Sequence, residues 1–248
     1  MWDNPRLLNL AANLLFGLAA LIFAGAALQL LLGSPLFPLK EIVVRGELKH
    51  ADREELANAM DGMAGNFFAA DLAVVRARLE QVTWVRHVDA RRVWPDRIEV
   101  RLEEHVAFAR WGESGLVNTF GEPFSAPVND DSAPKLPLFA GPAGSEGEIS
   151  RRYRGFAEIL APLGAFPERV VLTPRYAWQL RLAGAQNGAL NLELGRDGAE
   201  TVEQRLARFV AAYPESLARL PRRAAAEHGF VDLRYPNGFA LRVAGWNG

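Results

Sequence analysis

"RRVWPDRIEVRLEEHVAFARW", Arg91 to Trp111, decides what kind of fold this chain has. Val88 through Trp94 read as a strand, Pro95-Asp96 as a turn, and Arg97 onward as a second strand. Proline presets the turn's backbone angle, and aspartate accepts local backbone hydrogen bonds. Ile98, Val100, Leu102, Val106 and Phe108 then share one parity, while Glu99, Arg101 and Glu103 share the other. That alternation marks a sheet with one covered face and one wet face. The adjacent acids Glu103 and Glu104 point to opposite faces of such a strand. They therefore do not converge on one reactive centre, as paired acid-base catalysis requires. Arg86, Arg91, Arg92, Arg97 and Arg101 form a basic neighbourhood, but Asp89, Asp96 and Glu99 interrupt it. A salt-laced surface or a protein contact fits that pattern better than a nucleic-acid groove, which needs continuous positive charge.

Upstream, "KEIVVRG" is a short β-branched run ending at Gly46. In "HADREELANAM", Asp52 and Glu55 have the spacing of a capping box, and Leu56, Ala59, Met60 and Met63 follow helical spacing. Gly65 breaks that segment. Asp71 is placed to cap a second helix, whose covered face is Phe68, Leu72, Val75, Leu79 and Val82, with Phe67 and Phe68 closing the core. Residues 41 to about 110 thus spell strand, helix, helix, strand, strand.

Further upstream lies "LAANLLFGLAALIFAGAALQLLL", Leu10 to Leu32, without one formal charge. As a helix its 23 residues rise about 34 Å, against a hydrocarbon core of about 30 Å. A cleaved signal peptide and a buried helix are the alternatives. Small residues for cleavage stand at Ala24-Gly25-Ala26, but the apolar run continues six residues beyond them. Signal sequences have shorter apolar cores and more basic leaders. Arg6 on one side and Lys40 with Arg45 on the other nearly cancel, so charge alone does not orient a span.

Downstream of Trp111 a second unit is expected. "GESGLVNTFGEPF" mixes turns with short apolar runs. Ile149, Tyr153, Phe156 and Leu160 mark a helix that Pro162 and Gly164 end. Val170–Thr173, Trp178–Leu182 and Leu190–Leu194 suggest strands, with Asn187-Gly188 a hairpin signal between the last two. Val202, Leu206, Phe209 and Val210 mark another helix. "FVDLRYPNGFALRV" closes the chain as extended segments around a turn at Pro236-Asn237-Gly238. Two readings of that end stand: a sheet edge open to an extended peptide, with Tyr235 and Phe239 beside it, or an edge closed within the protein.

The 248 residues are half apolar, carry a net charge of -1 and include no cysteine. That suffices for folded domains, supplies no global attraction for nucleic acid, and excludes disulfides and thiolate chemistry. His50, His87, His105 and His228 show no zinc spacing, and there is no nucleophile elbow, P-loop or dinucleotide fingerprint. No catalytic, cofactor-binding or metal-binding residue is expected.

"EIVVRG", "GNFFAADLAVVRARLEQVTWVRHVDARRVWPDRIEVRLEEHVAFARW" and "LVNTFGEPF" together resemble the bacterial FtsQ/DivIB cell-division family. The resemblance runs through the anchor, the first soluble domain and much of the second. It implies an α+β protein with one transmembrane helix, a POTRA domain (β-α-α-β-β), and a β-rich domain with flanking helices. The corresponding division is a short cytoplasmic segment 1–9, the transmembrane helix 10–32, a juxtamembrane linker 33–39, the POTRA domain 40–110 and a periplasmic β domain 111–248. It implies a single-pass inner-membrane scaffold at the division septum, not an enzyme and without cofactors, that binds FtsB and FtsL and links upstream to late divisome membrane proteins. An FtsB segment adding along the C-terminal sheet would meet Tyr235, Asn237, Gly238, Phe239 and Ala240. Arg91, Arg92 and Trp94 are the candidate contact on the POTRA domain. Two other readings are a membrane-anchored POTRA-like assembly or secretion factor outside division, and an exported hydrolase. Partner identity separates the first, and a closed pocket of convergent catalytic groups would mark the second.

Overall fold

In a computed structural model, the structure describes residues 5–34, 37–63, 65–127, 136–184, 189–216 and 229–242. The chain divides into two compact units, Met1–Glu104 and His105–Gly248. The first begins with helix α1, Pro5–Leu32, whose Leu8–Leu31 stretch is long and apolar enough to cross a membrane. None of it is buried by protein: Phe23 and Leu30 are about three-quarters exposed.

The remainder of this unit is β1 (Glu41–Arg45), α2 (Arg53–Ala59), α3 (Leu72–Leu79), β2 (Val85–Val93) and β3 (Arg97–Glu104). The sheet order is β1-β3-β2, with β1 parallel to β3 and β2 antiparallel to it. Ile98, Val100 and Leu102 of β3 are buried with Val88 and Ala90 of β2, Leu56 of α2, and Val75 and Leu79 of α3. Asp52 caps α2, but its carboxylate accepts from the N–H of Glu54, one residue earlier than the expected box geometry. Asp71 caps α3 by accepting from Ala73. This helix is shorter than the pattern suggested. Phe68 lies in the preceding loop, exposed, while Phe67 is buried.

Gly46, at φ +149°, ends β1, and a Cβ there would lie 2.8 Å from the carbonyl oxygen of Leu102. Only glycine permits that backbone conformation beside so close a neighbour.

The parity run from Ile98 to Phe108 is not one strand. β3 stops at Glu104, and Ala107–Trp111 forms β4, which pairs with strands of the second unit. The cause is local. The Glu104 carboxylate accepts from the backbone N–H groups of Lys49 (3.0 Å), His50 (3.2 Å) and Ala51 (2.9 Å), fixing the strand end. The chain therefore changes sheets at His105-Val106, ahead of the expected 110/111 boundary.

In the second unit the elements are β4, β5 (Gly115–Asn118), β6 (Pro123–Phe124), β7 (Leu138–Ala140), α4 (Glu146–Leu160), β8 (Phe166–Leu172), β9 (Trp178–Ala183), β10 (Leu190–Gly195), α5 (Val202–Ala212), β11 (Gly229–Asp232) and β12 (Ala240–Arg242). The described residues make a nine-stranded sheet, ordered β12-β11-β10-β9-β8-β7-β4-β5-β6. β9 and β10 are antiparallel neighbours, although Asn187-Gly188 lies outside the described residues. Ile149, Phe156 and Leu160 of α4 and Val202, Leu206 and Phe209 of α5 share one core with Trp178, Leu180 and Leu192 of the sheet. The reciprocal capping box that α2 lacks is found on α5, between Thr201 and Gln204.

Candidate partner-binding edge

β12 is the end strand of the large sheet. It pairs antiparallel with β11, Phe230 opposite Arg242, Val231 opposite Leu241 and Asp232 opposite Ala240. Among the described residues no strand pairs with its other side. An end strand presents backbone N–H and C=O groups to any extended segment that arrives there.

The segment leading into β12 is held from three sides. Arg208 of α5 donates to the carbonyls of Tyr235 (2.9 Å) and Pro236 (3.0 Å) and pairs with Glu200 at 2.7 Å. The Phe239 ring meets Phe209 edge-on at 5.6 Å, so this aromatic is half core. Arg234 forks onto Asp232, with Nη2 to Oδ2 at 2.6 Å and Nε to Oδ1 at 2.9 Å. Hydrogen bonding from Arg234 holds the nearly buried Asp232 carboxyl below its ordinary value, even though burial opposes ionisation. The Arg234 side chain itself remains 60% exposed.

The five residues expected at the contact are contiguous here. Tyr235, Asn237, Gly238, Phe239 and Ala240 line one shallow cleft with Pro236. Tyr235 is 54% exposed, whereas Phe239 faces inward. Asp232, Arg234 and Arg208 escaped the sequence reading. The D-x-R spacing of Asp232 and Arg234 was the available signal, since i and i+2 share a side of an extended chain. Nothing in the sequence pointed to Arg208.

Adjacent Arg91 and Arg92 are put to different uses in the first unit. Arg91 donates to Glu99 at 3.0 Å on the wet face. Arg92 turns the other way and donates to the carbonyls of Phe67 (3.1 Å), Phe68 (3.4 Å) and Ala70 (2.6 Å), clamping the loop before α3. Trp94 stands at the β2–β3 turn, 76% exposed. Glu103 pairs with Arg86 and Glu104 with the 49–51 backbone, so the two acids do separate work. Among the described residues no three His, Cys, Asp or Glu side chains gather to hold a metal. His50 stacks on Trp84 and His105 on Phe124, while His228 lies outside the described residues.

Two family models match the chain. One is the FtsQ-type POTRA domain over residues 37–105, and the other is the C-terminal region of cell division protein FtsQ/DivIB over residues 109–234. The second match stops one residue before Tyr235. A cell division protein FtsQ of Burkholderia pseudomallei is 43% identical over 247 residues, covering 99% of this chain and 95% of the relative. That of Nitrosospira multiformis is 41% identical, covering 98% and 99%. That of Escherichia coli is 33% identical over 212 residues, covering 84% and 73%.

Proposed function

Since the chain belongs to the FtsQ/DivIB family of cell-division proteins, we propose that it is a bitopic inner-membrane scaffold of the divisome, without enzymatic activity. Its α1 crosses the membrane once, with the N-terminus in the cytoplasm and the POTRA domain and second unit in the periplasm. The β12 edge receives FtsB, within an FtsB–FtsL pair, as an added strand. The observation that carries this reading is the end-strand position of β12 beside an exposed Tyr235 on a pinned loop. A main-chain ladder supplies affinity in such a complex, and pockets for alternate side chains supply specificity. Pre-pinning by Arg208 lowers the ordering cost of binding.

The test is capture of FtsB by the full chain carrying Tyr235→Lys. We expect about tenfold weaker binding, roughly 1.4 kcal/mol, with unchanged unfolding, since Tyr235 has little core to lose. Equal capture by the folded variant removes that side chain from the interface. On the POTRA domain, Arg91 is the contact candidate for upstream divisome partners. Arg92 is already committed to three carbonyls, and substituting it would confound recruitment with folding.

A further inference from the structure

We propose that the end of the POTRA domain nearest α1 is a lipid-contacting tip, with the Trp94 indole and Phe68 ring seated at the headgroup–acyl boundary of the bilayer. This rests on the reading of α1 as a membrane span. Trp94 is 76% and Phe68 39% exposed, so both rings keep aromatic surface outside the core of the domain. Amphipathic aromatic rings favour the membrane interface, where the apolar body and polar edge are both accommodated.

What makes the bilayer the occupant is how these groups are tied to the chain leaving the helix. α1 ends at Leu32, and two residues later the carbonyl of Ser34 accepts from Asn66 Nδ2 at 2.6 Å. Two residues span at most about 7 Å. The same loop is bonded twice more to the linker, Phe67 N–H to Phe37 carbonyl and Leu39 N–H to Gly65 carbonyl, both at 2.8 Å. The β2–β3 turn is fastened to it as well. The Asp96 carbonyl accepts from Lys40 N–H, and Asp96 Oδ2 pairs with Lys40 Nζ, both at 2.9 Å. Arg92 then joins loop to strand through the carbonyls of Phe67, Phe68 and Ala70. Phe68 and Trp94 are thus positioned through bonds to Ser34, Phe37, Leu39 and Lys40, all within eight positions of the end of the span.

Length agrees. The 28 residues of α1 rise about 42 Å, roughly 12 Å more than the hydrocarbon thickness, so its end reaches the headgroup layer. Charge selects the kind of attachment. Lys40 is paired with Asp96 and Arg97 with Glu41, and Arg92 is spent on carbonyls, so the described cations at the tip form no free positive patch for anionic lipid. The contact is interfacial and should not need acidic headgroups. The onward chain leaves from the other end of the sheet, at Glu104, so a tip held at the membrane leaves the domain's exit free. Functionally, the tip converts a tether into a mount that limits the tilt of the POTRA domain over the bilayer.

The chain has no native cysteine, so single spin labels are clean reporters. The full chain is placed in phosphatidylcholine nanodiscs carrying a label at Leu21→Cys, Ala69→Cys or Tyr176→Cys in turn. Collision with oxygen is compared with collision with a water-soluble nickel chelate. We expect Leu21 deepest, residue 69 interfacial and residue 176 aqueous. Adding Trp94→Asp to Ala69→Cys should raise nickel accessibility at residue 69 several-fold, and Phe68→Ser should raise it less. An aqueous label at residue 69 with a deep label at Leu21 overturns the tip while leaving the span intact. An aqueous label at Leu21 overturns the span and the tip together.

Discussion

Trp94 and Tyr235 are both exposed aromatics next to a backbone that a neighbouring arginine holds, yet their surroundings assign them different partners. Arg92 clamps the carbonyls of residues 67, 68 and 70 beside the Trp94 turn, and Arg208 clamps those of residues 235 and 236. The strands flanking Trp94 pair with each other, Val93 opposite Arg97, and β2 is itself an end strand of its sheet. What sets that turn apart is its bonding to the linker after α1, through Asp96 and Lys40. Tyr235 leads into β12, which has a described partner on one side only. There the aromatic stands beside backbone groups that can pair. The same residue class on the same kind of pinned loop suits a lipid boundary in one place and an extended peptide in the other. The tie to the linker that follows α1 makes the difference.

The sharpest way to break the comparison is through the core beneath the Tyr235 loop. Phe209→Ala removes the ring against which Phe239 packs, and a fully buried phenylalanine lost this way costs about 3–5 kcal/mol. Chemical denaturation of the second unit should register that loss, with partner capture failing as well. Next in size is Arg92→Met. It deprives three carbonyls of a charged donor and should destabilise the POTRA domain by about 1–3 kcal/mol, read by faster amide exchange over residues 65–71. Arg91→Gln on the adjacent position should change stability by less, about 0.5–1 kcal/mol, because it loses one half-exposed pair while Arg45 still reaches the Glu99 carboxylate.

Acid gives the smallest separation. Burial pushes the Glu104 carboxyl up, but hydrogen bonds from Ala51, Lys49 and His50 outweigh it and leave it below 4.5. The Arg234 hydrogen bonds hold Asp232 below 3.8. A depressed carboxyl stabilises fully above its unfolded value, and that contribution disappears as pH falls through the folded one. In acid titrations followed by unfolding, Glu104→Gln should flatten the loss below pH 4.5 in the first unit, and Asp232→Asn the loss below pH 3.8 in the second. Identical titration curves for variant and parent would remove the corresponding carboxylate from the account.

Much of the fold was readable from local pattern. The apolar helix, the hairpin around Pro95-Asp96, the Asp71 cap and the buried faces of α4 and α5 all follow from short-range spacing. The reading failed where two elements with the same period adjoin. Val106 and Phe108 continue the parity of β3, so spacing could not reveal that the chain changes sheets between Glu104 and Ala107. Phe68 likewise fits the face of α3, yet the helix starts only after the Asp71 cap. At the candidate edge, Tyr235 through Ala240 could be singled out by resemblance, but not the division of labour by which Phe239 packs inward and Tyr235 stays out.

By itself the sequence determined most of the helices and strands and their apolar faces, because side-chain periodicity is a property of neighbours along the chain. Only the tertiary structure decided that Arg91 meets water while Arg92 seals a loop, that Glu104 ends a strand by gathering the N–H groups of residues 49–51, and that β12 ends its sheet among the described residues. These are long-range pairings. A residue's hydrogen-bonding partner 20 or 50 positions away leaves no periodic trace, and it is settled by which elements pack together.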